Sequence, residues 1–285
     1  MEKPKLHFVS RGGIELPRQI LDRFEIMEDF QDALGNACFF MVDPNNLISE
    51  EKVKEIRANG GKVIFWNSLL SELLDFYNLD TIKNANHILN NNVTDNTLSI
   101  MMDLVQNNSN SSLDGKIIYE KKLETRACGK TIVKDFESNL ELDKSIPKPY
   151  HRHIANICEE LSMNALKDAP YESDDDSDRE PASLKIIYSP STLIVRCTDN
   201  YGSFTSKNFW RYVSKIKNVG SNKLEIDDKA HGAGLGIVKS LHHCHGFFVK
   251  VKEKQSTEVS CIIDLQTRLF SPLNSLRSLS FVSKK

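Results

Sequence analysis

The chain has 285 residues, 40% hydrophobic and 27% charged, with a formal net charge of -2. That length allows one or two domains with cores of their own, and two is the expectation. The near-neutral balance gives no electrostatic support to nucleic-acid binding, and no stretch approaches the roughly 20 consecutive apolar residues that span a bilayer.

At the start, Met1-Glu2-Lys3-Pro4-Lys5 leads into a short strand-like run rather than a secretory apolar region. Six scattered cysteines (Cys38, Cys128, Cys158, Cys197, Cys244, Cys261) form no C-x-x-C pair and sit mostly inside apolar runs. They are expected to be reduced and buried, as in a cytosolic protein.

From Leu6 to about Val105, strand-like runs alternate with helix-like ones, the pattern of a doubly wound α/β domain. The clearest strands are Cys38–Val42 and Lys62–Trp66. Between them, Ser49 followed by Glu50, Glu51 and the Val53/Ile56 spacing predicts a capped helix closed by Gly60-Gly61. A helix is expected from Leu69 to Tyr77, and another opens at Thr94-Asp95 and carries Leu98, Met101, Met102 and Val105. This layout resembles a response-regulator receiver domain, which is flavodoxin-like. The resemblance implies an acidic pair, an acceptor aspartate and a lysine. The first strand, however, ends in Ser10-Arg11-Gly12, and His87-Ile88-Leu89 runs into Asn90-Asn91-Asn92. Asp43 follows a strand and is the one candidate acceptor. The expectation is a degenerate receiver used for protein contacts.

The polar run Asn107–Ser112 predicts a boundary. The division expected is residues 1–107, a linker over 108–114, a second domain over 115–267 and a tail over 268–285. In that second domain Ile117-Ile118-Tyr119 opens a strand, Lys130–Leu140 is helical, and Pro147 and Pro149 precede a helix from about His151 to Ala169. On this helix Ile154, Ile157, Cys158, Leu161 and Ala165 form an apolar face, while Glu160, Asn164 and Lys167 share an adjacent stripe. An asparagine oxygen suits Mg²⁺, so Asn164 is the candidate metal ligand. A carboxylate one turn earlier can take a proton from an attacking hydroxyl or water, which makes Glu160 the candidate general base. Lys167 supplies a positive charge for phosphates.

The apolar run Leu193–Cys197 delivers Asp199 to a strand end, where a carboxylate can accept from the exocyclic amino group of adenine. It opens the run Asp199-Asn200-Tyr201-Gly202. Further on, Gly232-Ala233-Gly234-Leu235-Gly236 precedes a helix to about His245; glycines let backbone approach phosphate, and the helix N-terminus supplies free N–H groups.

These three segments, followed by Ser256-Thr257 on a strand, resemble the Bergerat (GHKL) ATP-binding fold of histidine kinases, anti-sigma-factor serine kinases, gyrase and MutL. The resemblance covers roughly residues 115–267 and implies an α+β sandwich. E-x-x-x-N-A is the form that anti-sigma kinases and gyrase-like ATPases carry, and N-A-x-K that of histidine kinases. Nucleotide contacts would then fall to Asn164, Lys167, Asp199, Gly202, Gly232, Gly234, Leu235, Gly236 and Thr257, with ATP (or ADP) and Mg²⁺ as cofactors. Thr257 matches the threonine that completes the adenine pocket in relatives. The connection 204–231 corresponds to the lid that closes over the phosphates. One departure stands out: the family reads D-x-G-x-G, whereas this chain has Asp199-Asn200-Tyr201-Gly202-Ser203. The loop beneath the base must run differently, with Tyr201 placed to cover it. Trp210 and Tyr212 fit either a partner surface or a short helix on the core.

Other signals are discounted. His242-His243-Cys244-His245 is contiguous and lacks a second ligand pair for zinc. The acidic stretch Glu172–Glu180 lacks the glycine and closing glutamate of a calcium loop. The tail, with Leu273, Leu276, Leu279 and Phe281, fits docking on a partner or fraying. The leading expectation is a cytoplasmic ATP-binding regulator with a protein partner, resembling an anti-sigma-type kinase that phosphorylates serine or threonine. Against it stand a nucleotide-dependent binding switch without transfer and a histidine-kinase catalytic domain acting on a separate protein. A homodimer is expected only because such relatives often dimerise.

Overall fold

The computed structural model describes residues 3–9, 16–35, 38–43, 48–68, 73, 77, 81–82, 87–106, 115–125, 131–135, 138–139, 146–168, 180–214, 235–269 and 277–284. In the first half, β1 (Lys5–Val9), β2 (Glu25–Met27), β3 (Phe39–Val42), β4 (Lys62–Trp66) and β5 (His87–Leu89) are all parallel, in the order β2-β1-β3-β4-β5. This is the 2-1-3-4-5 order of a doubly wound sheet. All four residues of β3 are buried, as expected of a central parallel strand covered on both faces. Helices α2 (Phe30–Gly35) and α3 (Glu50–Ala58) pack on one face through Ala33, Leu34, Val53 and Ile56. On the other, α1 (Arg18–Leu21) and α4 (Asp95–Gln106) pack through Ile20, Leu98, Met101 and Met102.

Local sequence explains these boundaries. Ser49 Oγ accepts from the Lys52 N–H at 3.3 Å, with Glu50 and Glu51 in the positive first turn of α3. Gly60, at φ 79°, ends the helix in a conformation that side chains resist. Most of the helix expected over Leu69–Tyr77 lies outside the described residues, as does the run 107–114.

In the second half β6 (Lys116–Leu123), β7 (Ala182–Ser189), β8 (Thr192–Asp199), β10 (Ser256–Asp264) and β9 (Gly246–Lys252) are antiparallel neighbours in that order. Helices α5 (Lys148–Met163), α6 (Ser206–Ser214) and α7 (Leu235–His242) lie on one face, over Leu184, Val195 and Cys197. The expected helix over Lys130–Leu140 is helical at its described residues, 131–135 and 138–139.

The tail supplies a strand. β11 (Ser278–Lys284) runs antiparallel to β5 and parallel to β9, so both halves share one 11-stranded mixed sheet. Its serines are buried because they have partners. Ser280 Oγ lies 2.8 Å from His87 Nδ1, and Ser278 Oγ accepts from the Asn90 backbone and side-chain N–H groups at 3.2 and 3.0 Å. The five described cysteines are free and buried; Cys128 lies outside the described residues. Among the described residues, no helix is long and apolar enough to cross a membrane.

Candidate nucleotide site

Helix α5 brings Glu160 and Asn164 to one stripe, and at Asn164 it passes into a single π-helical turn, Asn164–Asp168. Such turns recur at functional sites because they re-aim side chains out of the α-helical rows. Gly236, in the first turn of α7, stands against this stripe. A Cβ there would lie 2.7 Å from Glu160 Oε2 and 3.2 Å from Asn164 Oδ1, closer than the Glu160 contact permits without a shift. The end of the glycine run and the E-x-x-x-N stripe, some 70 residues apart in sequence, are thus in contact. Lys239, one turn further along α7, places Nζ 2.7 Å from Glu160 Oε1. This pair holds the lysine pKa up and is asymmetric: Glu160 is 18% exposed and Lys239 61%. Sequence reasoning missed Lys239, although its i+3 spacing from Gly236 puts both on one side of α7.

A second group gathers at the C-terminal end of β8. Asp199 is buried and its Oδ1 accepts from the backbone N–H groups of Tyr201 and Gly202 at 2.9 and 3.4 Å. Thr257 is its cross-strand partner on β10. The Thr257 hydroxyl is buried and lacks a hydrogen bond of normal geometry, yet lies close enough to favour the carboxylate. Burial pushes the Asp199 pKa up, against the pull of these donors. A buried carboxylate with a hydroxyl beside it can offer a ligand edge both an acceptor and a donor.

Gly202 does something more local. At φ +60°, a Cβ on it would stand 2.0 Å from the Lys252 carbonyl oxygen and 2.7 Å from the Gln255 nitrogen, so only glycine lets the chain leave β8 against the β9–β10 hairpin. Tyr201, expected over the base, ties its hydroxyl to the Glu180 backbone, accepting from N–H at 2.8 Å. Trp210 and Phe209 are buried on α6, the core-packed alternative, while Tyr212 is half-buried beside Arg211.

Gly232 and Gly234 lie outside the described residues, as does 215–231 of the lid segment. Lys167 and Leu235 are placed by their backbones, on the π turn and at the start of α7, and their side chains are not described.

At the far end of the α5–α7 pair, His153 Nδ1 lies 2.8 Å from His243 Nδ1, and Asn156 Nδ2 3.0 Å from His243 Nε2. His245 turns away, its Nδ1 accepting from the Asp264 N–H at 2.9 Å. Among the described residues no three His, Cys, Asp or Glu side chains are arranged to hold a metal ion.

No family model matches the sequence, and no curated protein does. A solved structure, the crystal structure of the SiaB-SiaC complex from Pseudomonas aeruginosa, matches 57% of this chain and 99% of its own, at 13% identity and a TM-score of 0.38. A likeness that loose assigns neither ligand nor activity.

Proposed function

We propose that the chain is a signalling regulator of GHKL type that binds Mg-ATP between α5, β8, α7 and β10 and acts on a protein partner. In this reading residues 1–107 are a degenerate receiver-like module, 115–267 the Bergerat-type domain, and the protein works in the cytoplasm. The observation that carries the reading is Gly236 standing against Glu160 and Asn164, which leaves a cradle beside a carboxylate and an amide oxygen at a helix N-terminus. Asn164 fits Mg²⁺ as a hard oxygen ligand, and the ion when bound would neutralise phosphate charge. Asp199 and Thr257 supply an acceptor and a hydroxyl for an adenine edge. Glu160, released from Lys239, would take the proton of a partner's serine or threonine hydroxyl, while Lys239 would remain as a cation near the phosphates.

One observation favours a second reading, the switch without transfer. Glu160 is held at 2.7 Å by Lys239, so it serves as a base only if nucleotide draws the lysine away. The two readings separate on incubation with γ-labelled ATP, Mg²⁺ and a lysate of the source cells. An acid-stable labelled protein that disappears with Glu160→Gln supports the kinase; an acid-labile label points to histidine. Tight ATP binding with no label supports the switch.

A further inference from the structure

The sheet face opposite α5 and α7 is covered by α1 and α4 over its apolar part. Beyond that cover, strand register alone brings lysines together. Lys284 of β11 is the direct partner of Lys252 of β9, and Lys250 stands two residues back on the same face, in line with buried Phe248. Lys62 lies on this face of β4, alternating with Ile64 and Trp66, with Nζ 4.8 Å from the Phe39 ring centroid. Burial and the charges of Arg57 and Lys284 lower its pKa. The carboxylate opposite Lys250 in register, Glu258, turns instead to Arg196 at 3.7 Å.

Like charges at partner positions destabilise a sheet, so the Lys252–Lys284 pair is a cost to the fold, and among the described residues neither lysine has a salt bridge to offset it. We propose that Lys62, Lys250, Lys252 and Lys284 form the docking surface for an acidic segment of a partner protein. This deepens the partner-binding reading by naming the partner's chemistry. Charge complementarity identifies the occupant, and the surroundings select protein over other polyanions. Phe39, Trp66 and Phe248, the aromatic side chains on this face of β3, β4 and β9, are all buried, so bases have nothing to stack on there, and the chain's net charge is -2. Among the described residues, the exposed large apolar side chains are Leu21, Ile26 and Ile117, on α1 and on the two edge strands β2 and β6, away from the lysines, so those residues offer a membrane surface no apolar anchor beside them.

The test is a titration of a fluorescein-labelled oligoglutamate peptide into the full chain, read by anisotropy at low and physiological salt. Lys250→Gln/Lys252→Gln/Lys284→Gln is expected to weaken binding about tenfold or more. The charge-matched Lys116→Gln/Lys122→Gln/Lys185→Gln, on β6 and β7, should stay within about twofold of wild type. Because it relieves repulsion, the docking triple should melt no lower than wild type at low salt. Equal weakening by both triples, no peptide binding, a lower melting temperature for the docking triple, or tighter binding of single-stranded DNA or phosphatidylserine vesicles would each overturn the proposal. Loss of Mg-ATP binding in Asn164→Ala leaves these outcomes untouched, so the nucleotide reading and this one fail separately.

Discussion

Single atoms decide the site at Gly236 and Asp199. A Cβ on Gly236 would meet Glu160 Oε2 at 2.7 Å and Asn164 Oδ1 at 3.2 Å. Glu160 is long enough to move aside, and alanine gains about 1 kcal/mol of helix propensity, so Gly236→Ala should fold as well as wild type. The displaced carboxylate and filled cradle should nevertheless weaken Mg-ATP by about tenfold or more, read by calorimetry beside a thermal melt. Asp199 makes the opposite trade. Its folded pKa is raised, so the native state holds more protons than the unfolded chain between the two values. The stability this gives is present below the ordinary carboxylate range and lost as pH rises through the folded value. Asp199→Asn is therefore expected to melt higher than wild type at neutral pH, with the gap closing in acid, while ATP binding is lost. An unchanged or lower melting temperature at neutral pH would contradict the claim that this carboxylate is kept at the expense of stability.

Among the elements, α5 and α7 form a pair with Glu160–Lys239 at one end and His153–His243 at the other. Burial, then the charges of His153, His242 and Arg152, push the His243 pKa down to about 4, and burial lowers His153 as well. The unfolded chain therefore binds more protons than the native one between the ordinary histidine value and about 4. Stability falls as pH drops through that window. His243→Gln, followed by denaturant melts at several pH values, should flatten the slope by roughly one proton. A slope unchanged by the substitution would place the acid sensitivity elsewhere, with His87 and His245 the next buried candidates. The apolar face of α5 was legible because Ile154, Ile157, Cys158 and Leu161 repeat at helical spacing. The end of α7 was not: it stops at His242, three residues short of expectation, because His243 to His245 form the turn into β9. Strands β7 and β9 went unread, since β7 has mixed burial along its length and β9 follows a helix after only three residues.

For the whole molecule, β11 is the element on which continuity depends. It fills the gap between β5 and β9, and Arg277 before it donates through Nε to the Leu241 carbonyl at 3.2 Å. Its role was hidden in the sequence because Ser278 and Ser280 look solvent-facing until His87 and Asn90, some 190 residues away, supply their partners. The doubly wound half was easier, since β3 and β4 are short apolar runs flanked by a capped helix. Truncation before Arg277 leaves β5 and β9 with open edges and is expected to abolish a single cooperative melt and to promote aggregation, followed by light scattering. A truncated chain that melts like wild type would make β11 peripheral. The central claim is that segments around Glu160, Asp199 and Gly236 form one Mg-ATP site. Calorimetric titration of the full chain with ATP and GTP, with and without Mg²⁺, tests it most directly. The account predicts Mg²⁺-dependent binding of ATP, discrimination against GTP, and loss of Mg-ATP binding in both Asp199→Asn and Asn164→Ala; no binding of ATP, or equal binding of GTP by the wild-type chain, would contradict it.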